Sequence, residues 1–309
     1  MKIALDPTPF HQTHSLLEFP KLAKDLGYDY LQLTPHPDFI PFFNHPKADD
    51  ALVRELAQAC RDAEVEIASV LPVLRWSSPD PDAREAAVRY WKRVLQITVD
   101  LGVSQIGSEF SGRPELAEES ERAFYRSMEQ LLPIIEREGL NLAIDPHPDD
   151  FVENGLQAWR VIRGLNSQNI SMVYVAAHTF HMQEDPLDIM RAAGQRLRIT
   201  HVADSMDHRR SSGLRYITNP PASPARVHQH LKIGDGDVNW KQYFAGLAEI
   251  GFLDDPDTVM ATCVFAENER AAEVAKYQLK TMNDMVKEAK DNRYTTPALA
   301  AEQGENDVR

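Results

Sequence analysis

Four stretches of this chain run from an apolar segment straight into imidazole or carboxylate groups. They are Asn141-Leu-Ala-Ile-Asp145-Pro-His147-Pro-Asp149-Asp150, Ile170-Ser-Met-Val-Tyr-Val-Ala-Ala-His178, Leu197-Arg-Ile-Thr-His201-Val-Ala-Asp204, and Val259-Met-Ala-Thr-Cys-Val-Phe-Ala-Glu267-Asn-Glu269. Groups of these types bind divalent metals or move protons. Asp145, His178, His201, His228 and His230, with Glu267 or Glu269 as a further oxygen donor, form the candidate ligand set. Mixed imidazole and carboxylate donors suit Mn²⁺, Zn²⁺, Fe²⁺ or Co²⁺ better than Ca²⁺. Taken singly, each His reads more readily as a hydrogen-bonded loop residue; their recurrence at one position in successive units favours metal. His228 and His230, two apart, can place both rings on one side of an extended segment.

Glu109 closes Gly107-Ser108-Glu109-Phe110-Ser111-Gly112-Arg113 and can serve as general base, ligand or hydrogen-bond acceptor, or pair with Arg113. His147, two residues after Asp145, points to the same face of an extended segment, where an imidazole can shuttle protons or orient a ligand. Glu109 and His147 are the candidate acid/base groups. Trp76 and Phe42, with Trp91, Phe39 and Phe43, could wall a sugar ring, against the plainer alternative of core packing.

Such groups converge only if the elements carrying them point to one place. The apolar stretches read as short buried strands, with amphipathic segments of helical length between them. Eight strands are expected: Ile3–Asp6, Tyr30–Thr34, Glu66–Leu74, Ser104–Glu109, Leu140–Asp145, Met172–Ala176, Arg198–Ala203 and Thr258–Phe265. Glycine followed by an apolar residue recurs at the joints Gly102-Val103, Gly139-Leu140 and Gly251-Phe252. Strands alternating with helices, the polar chemistry always at the strand's C-terminal end, describe the working face of an α/β (β/α)₈ TIM barrel. One domain over 1–290 is expected, with a polar, frayed tail over 291–309. The segment Asp204–Asp237 after strand 7 has no strand or helix pattern, and a loop of that length is usually functional. It reads as a lid over the barrel mouth, and its Arg209 and Arg215 as groups that meet a substrate.

A formal charge of −14 argues against nucleic acid or an anionic membrane as partner. No stretch approaches the roughly 20 apolar residues of a membrane span. With no signal-peptide pattern at the start and two cysteines read as reduced thiols, a cytoplasmic protein is expected.

The residues also resemble a family, the xylose-isomerase-like TIM barrels, and within them the inositol-catabolism IolH group. The resemblance runs from Lys2 to the last helix. Its telling stretches are Asp38-Phe-Ile-Pro-Phe-Phe with His45-Pro46, Ser108-Glu-Phe-Ser-Gly-Arg-Pro-Glu115, Pro146-His-Pro-Asp-Asp-Phe-Val-Glu153, His178-Thr-Phe-His-Met182, His201-Val-Ala-Asp-Ser205, Ser211-Ser-Gly-Leu-Arg-Tyr-Ile217 with Asn219-Pro-Pro221, and Arg226-Val-His-Gln-His-Leu231. The segment from His228 also looks like the metal-binding stretch of the related endonuclease IV barrels. The resemblance implies a metal-dependent sugar or cyclitol isomerase or epimerase, with ligands at the ends of strands 5 to 8. Those positions hold Asp145, Val175, His201 and the neighbourhood of Cys263 to Glu269. The chain departs from the pattern: Asp145 stands for Glu, Val175 for Asp, and Glu267-Asn268 for Trp-Glu. His178 is placed to substitute for the donor that Val175 lacks.

The expected function is therefore isomerisation or epimerisation of a small sugar or cyclitol, a divalent metal assisting proton transfer through an enediolate-like intermediate. A lyase or dehydratase acting on a keto-sugar or inosose is one alternative. The other is a non-catalytic sugar-binding or subunit-partner barrel whose metal site has degenerated. A homo-oligomer is compatible with either.

Overall fold

In the computed structural model, which describes residues 1–206, 229–265, 269–291 and 294, eight parallel strands close into a barrel in sequence order. The strands are β1 Lys2–Leu5, β2 Tyr30–Leu33, β3 Glu66–Val70, β4 Gln105–Glu109, β5 Asn141–Asp145, β6 Ile170–Val175, β7 Leu197–Val202 and β8 Val259–Thr262. β8 pairs back onto β1, from Lys2 with Val259 to Leu5 with Thr262, so no edge is left open. Around them lie α1 Phe19–Asp25, α2 Asp50–Ala63, α3 Pro81–Asp100, α4 Ala117–Arg137, α5 Gly155–Gly164, α6 Ala176–Thr179, α7 Pro186–Ala193, α8 Trp240–Glu249 and α9 Ala271–Lys290.

Local chemistry sets these boundaries. Asp49 accepts the Leu52 amide at the start of α2, Asp80 accepts those of Asp82 and Ala83 ahead of Pro81 on α3, and Asn154 accepts that of Gln157 on α5. Gly102 and Gly139 turn the chain from helix to strand at φ +70° and +65°, a conformation a side chain would strain. No described helix is long and apolar enough to cross a membrane. Cys60 and Cys263 are buried and unbridged, as free thiols would be.

The apolar core has two parts. The larger fills the layer between barrel and helices, around Trp76, Trp91, Phe110, Phe124 and Phe244. The smaller lies inside the barrel: Ala4, Ala68, Ala143, Val173, Val175, Ile199 and Val259, small residues that match the narrow axis of eight strands.

Two expected strands prove clearly shorter, and β6 ends one residue early. β3 ends at Val70 rather than Leu74, after a register shift between Leu31 and Gln32 of β2, and Pro72 follows with no amide to donate. β8 ends at Thr262, leaving Cys263 to Phe265 in the loop. β6 ends at Val175, so His178 rides on the one-turn α6 and not on the strand. The ends of the expected lid are described, and they are pinned, not structureless. Asp204 pairs with Leu231 as an antiparallel bridge. The Asp204 carboxylate accepts the amides of Ser205, Gly234 and Val238 and the Trp240 indole N–H. The span 207–228, with Arg209, Arg215 and His228, lies outside the described residues, as does the expected tail apart from Asp291 and Tyr294.

Candidate active site at the barrel mouth

Strand alternation decides which side chains reach the barrel axis. At or just past the ends of β1, β4, β5, β6, β7 and β8 come Asp6, Glu109, Asp145, Val175, His201 and Cys263. Glu109 is the register partner of Asp145, and Val175 that of His201. An apolar plug thus carries a polar ring at its C-terminal rim, interrupted at Val175.

His178 reaches into this ring from α6. Its Nδ1 lies 2.8 Å from Asp145 Oδ2, and its Nε2 lies 3.1 Å from His230 Nε2. His230 Nδ1 is 2.8 Å from the Cys263 carbonyl oxygen. That oxygen can only accept, so His230 carries its hydrogen on Nδ1 and, when neutral, turns the Nε2 lone pair toward His178. All three side chains are buried. Burial, then the charges of Glu109 and Asp150, hold the Asp145 carboxyl well above the usual range for aspartate. Burial is also the main reason that His230 is pushed down to about 4 and His201 to about 3. Both rings are therefore neutral at pH 7, the state in which imidazole ligates metal.

His147 and Glu109 form a second, more accessible layer. His147 Nε2 stands 3.7 Å from Glu109 Oε1, and both side chains remain about a quarter exposed. Among the described residues Glu109 stands beside this imidazole, and no ion pair joins it to the Arg113 that the sequence suggested. His147 Nδ1 bonds the Pro148 carbonyl at 2.8 Å, leaving Nε2 toward the carboxylate, and its ring meets that of His178 edge-on at 4.5 Å.

Two buried carboxyls near the mouth were missed by sequence reasoning. Asp150 is buried and accepts the amides of Ser111, Gly112 and Phe151, tying the loop after β4 to the loop after β5. Burial pushes its carboxyl up to about 7. Asp6, at the end of β1, is buried against Thr8 and the Cys263 thiol, and burial raises it too. The only signal was position: Asp150 sits two residues past the Pro-His-Pro turn, and Asp6 closes the first strand.

Other expected site residues fall elsewhere. Trp76 is fully buried, stacks on Trp91 at 4.3 Å and donates its indole N–H to the carbonyls of Glu109 and Phe110. A ring with no exposed surface offers no face to a ligand, so Trp76 braces the end of β4 from behind. Phe42 is exposed on the loop after β2. It lines a cavity of about 680 Å³ with His11, His36, His45 and Tyr90, and none of the buried His–Asp network borders it. Glu269 is exposed in the turn before α9. Glu267 and Asn268 lie outside the described residues. A further cavity, of about 520 Å³ between Lys2, Cys60, Arg61 and Glu66, opens on the opposite face of the barrel, away from this chemistry.

The metal expected from the resemblance can be tested against these residues. Among the described residues no three His, Cys, Asp or Glu side chains converge as a complete ligand set. The donors themselves nevertheless fit a divalent ion. His201 Nε2 and Asp145 Oδ1 are buried without a hydrogen-bond partner, and two imidazole Nε2 atoms face each other at 3.1 Å. The facing nitrogens are at hydrogen-bond distance, a hydrogen on one meeting the lone pair of the other.

Comparisons with known proteins agree with this architecture. A family profile described as xylose isomerase-like TIM barrel matches residues 20–285. Inosose isomerase of Bacillus velezensis is 21% identical over 258 residues, 82% of this chain and 86% of that protein. Inosose isomerase of Bacillus licheniformis is 22% identical over 248 residues, 77% of this chain and 83% of that protein. Among solved structures, the IOLI protein with a bound zinc atom superposes with a TM-score of 0.70 at 19% identity, over 96% of this chain and all of the other. D-psicose 3-epimerase of Clostridium cellulolyticum H10 gives 0.71 at 15% identity, over 93% and 99%. With the closed parallel barrel and the profile spanning most of its length, this chain belongs to the xylose isomerase-like TIM barrels.

Proposed function

We propose that this chain is an isomerase of a sugar or cyclitol that moves a carbonyl to the neighbouring carbon through an enediolate-like intermediate. The observation that carries the proposal is the accessible Glu109–His147 pair, 3.7 Å apart over the rim of the barrel. Support comes from the relatives named inosose isomerase. An inosose is a ring ketone flanked by carbons that bear hydroxyls. Glu109 takes the proton from one such carbon, and the electron pair moves to the carbonyl, giving the enediolate. His147 carries a proton between the two oxygens. Protonation of the former carbonyl carbon then completes the exchange, with no atom gained or lost. The two groups are neighbours on one side of the mouth. That arrangement suits a proton returned on the face it left, hence isomerisation, whereas a two-base epimerisation needs groups on opposite faces.

His178, His201 and His230 are the residues that would hold a divalent ion (Mn²⁺, Zn²⁺, Co²⁺ or Fe²⁺), which when bound would supply charge stabilisation for a substrate oxygen. Asp145 backs His178 in this arrangement. Arg209 and Arg215 remain candidates for orienting the substrate. A second reading, a sugar-binding barrel without catalysis, is favoured by Val175, which puts an aliphatic side chain into the polar ring. One experiment separates the two. The protein, supplied with each metal in turn, is incubated in D₂O with inososes and keto-sugars and followed by NMR. The proposal expects deuterium at the carbon beside the carbonyl and appearance of the shifted ketone. Ligand-induced thermal stabilisation with no exchange under any metal supports the binding barrel and rejects the isomerase.

A further inference from the structure

We propose that the cavity under the loop after β2 is a binding site, separate from the barrel mouth, for a small carboxylate with a flat apolar body, an aromatic acid being the simplest case. It stands whatever reaction the mouth performs.

The cavity holds about 680 Å³, within the usual range for a small-molecule site. Its place in the fold sets it on the flank of the barrel. Tyr90, midway along α3, forms one side, and the loop between β2 and α2 forms the other. Backbone hydrogen bonds hold that loop in shape without a ligand. His36 donates its amide to the Ile40 carbonyl at 3.0 Å, and Lys47 donates to that of Phe39 at 2.8 Å. The Phe43 amide reaches the Val73 carbonyl at 2.9 Å, and the Arg75 guanidinium lies 3.9 Å over the Phe43 ring. These contacts keep Phe43 at φ +57°, a left-handed conformation that is costly for a bulky side chain. Strain of this kind clusters at ligand sites. Its neighbour Phe42 is left 51% exposed at the cavity.

The lining matches one chemical class. Phe42, Tyr90 and four prolines give apolar walls suited to a flat ring. Among the described residues no Asp or Glu lines the cavity, although the chain carries 47 of them. Lys47 brings an ammonium. Asn44 donates one amide hydrogen to the Phe42 carbonyl at 2.8 Å and keeps the other. His36 Nδ1 accepts the Asp38 amide at 3.2 Å, so the neutral ring carries its hydrogen on Nε2. His11 stacks on Phe19 at 5.3 Å, and its Nε2 is buried with no hydrogen-bond partner. A buried polar atom left unpaired is costly, and a carboxylate oxygen in the cavity would relieve it. Burial pushes His11 down to about 4 and lowers His36 as well. Both rings are neutral at pH 7, and the fixed positive charge is that of Lys47. One ammonium suits a monoanion; a phosphate more often draws several cationic groups or a nest of amides.

The test is titration of the full-length protein with sodium benzoate, followed by calorimetry and ligand-observed NMR. Wild type should bind one equivalent. Lys47→Met and Phe42→Ala, both at exposed positions, should each weaken binding by about 10-fold or more. Circular dichroism checks that each is folded, and if one is not, the other decides. Benzyl alcohol keeps the ring without the charge, and inorganic phosphate keeps a charge without the ring. Both should bind at least about 10-fold more weakly than benzoate. Glu109→Gln, which alters the mouth, should leave benzoate affinity within about threefold. No benzoate bound at about 10 mM, affinity untouched by a folded Lys47→Met or Phe42→Ala, or a larger shift in Glu109→Gln overturns the proposal. So does benzyl alcohol or phosphate binding as tightly as benzoate. A wild type that sediments as a dimer and a Phe42→Ala that sediments as a monomer, with no benzoate bound by either, would make the cavity an interface between copies and overturn it too.

Discussion

Glu109 and His147 share one feature that sets them apart from the other titratable groups of the mouth: water reaches them. Asp145, His178, His201 and His230 are sealed beneath. A base that must touch substrate belongs to the first class, and groups that must stay in one protonation state belong to the second. Glu109→Gln, nearly equal in shape, should lower kcat by about 10²- to 10⁴-fold with only a small change in KM. Steady-state kinetics check this, and a variant within threefold of wild type would remove Glu109 from the chemistry. His201 makes a stability prediction. Burial and His230 push it down to about 3 in the fold, against an ordinary 6.5 when unfolded. Between those values the unfolded chain takes up a proton that the folded chain refuses, so stability falls as pH drops below 6.5. At pH 5 the deficit is about 2 kcal/mol relative to pH 7.5. His201→Leu should abolish that difference in urea titrations run with a chelator; an unchanged pH slope would show that His201 protonates freely in the fold.

At the scale of elements, the site depends on two loops that are clamped to each other. Asp150 grips the amides at 111 and 112, and Gly112 leaves no room for a side chain. A Cβ there would fall 2.3 Å from the Phe151 ring and 2.8 Å from Ser120 Cβ. Phe151 cannot easily retreat, because it packs against Phe110 and Phe124. Gly112→Ala should therefore destabilise by about 1–3 kcal/mol. It should also lower kcat, since Glu109 lies three residues upstream and a shift near 1 Å can slow a reaction about 100-fold. Melting and kinetics together check it: a lowered Tm with normal kcat would mean that this loop does not position Glu109. The four N–H donors gathered by Asp204 have the same character, fixing where the chain leaves β7 and where it returns.

For the whole molecule, the barrel axis is packed by small side chains, and Gly107 leaves it slightly underfilled. A Cβ at 107 would meet Ile199, Leu71 and Val173 at 3.5–3.6 Å, ordinary van der Waals distances. Gly107→Ala should then stabilise by about 0.4–1 kcal/mol, chiefly by restricting the unfolded chain, and leave kcat alone. Calorimetry checks it, and a lowered Tm would mean that the interior cannot accept one methyl group.

Chain-local rules made the barrel legible in the sequence. Alternation of apolar runs with amphipathic segments and the glycine joints act over a few residues, and they placed the eight strands to within a few positions, though not the α6 turn that carries His178. The same periodicity put Glu109, Asp145 and His201 at strand ends. What tertiary structure decided was pairing. Glu109 meets His147 and not Arg113, because β4 and β5 are neighbours in register while Arg113 lies beyond the Ser111–Gly112 turn. His178 reaches Asp145 and His230 only because β6 stops at Val175 and the next residues coil. Trp76, a plausible wall for a sugar, turns inward because its indole N–H finds two carbonyls behind β4. Composition and spacing assign a residue its chemistry, but distances between groups far apart in sequence are set by how the strands close.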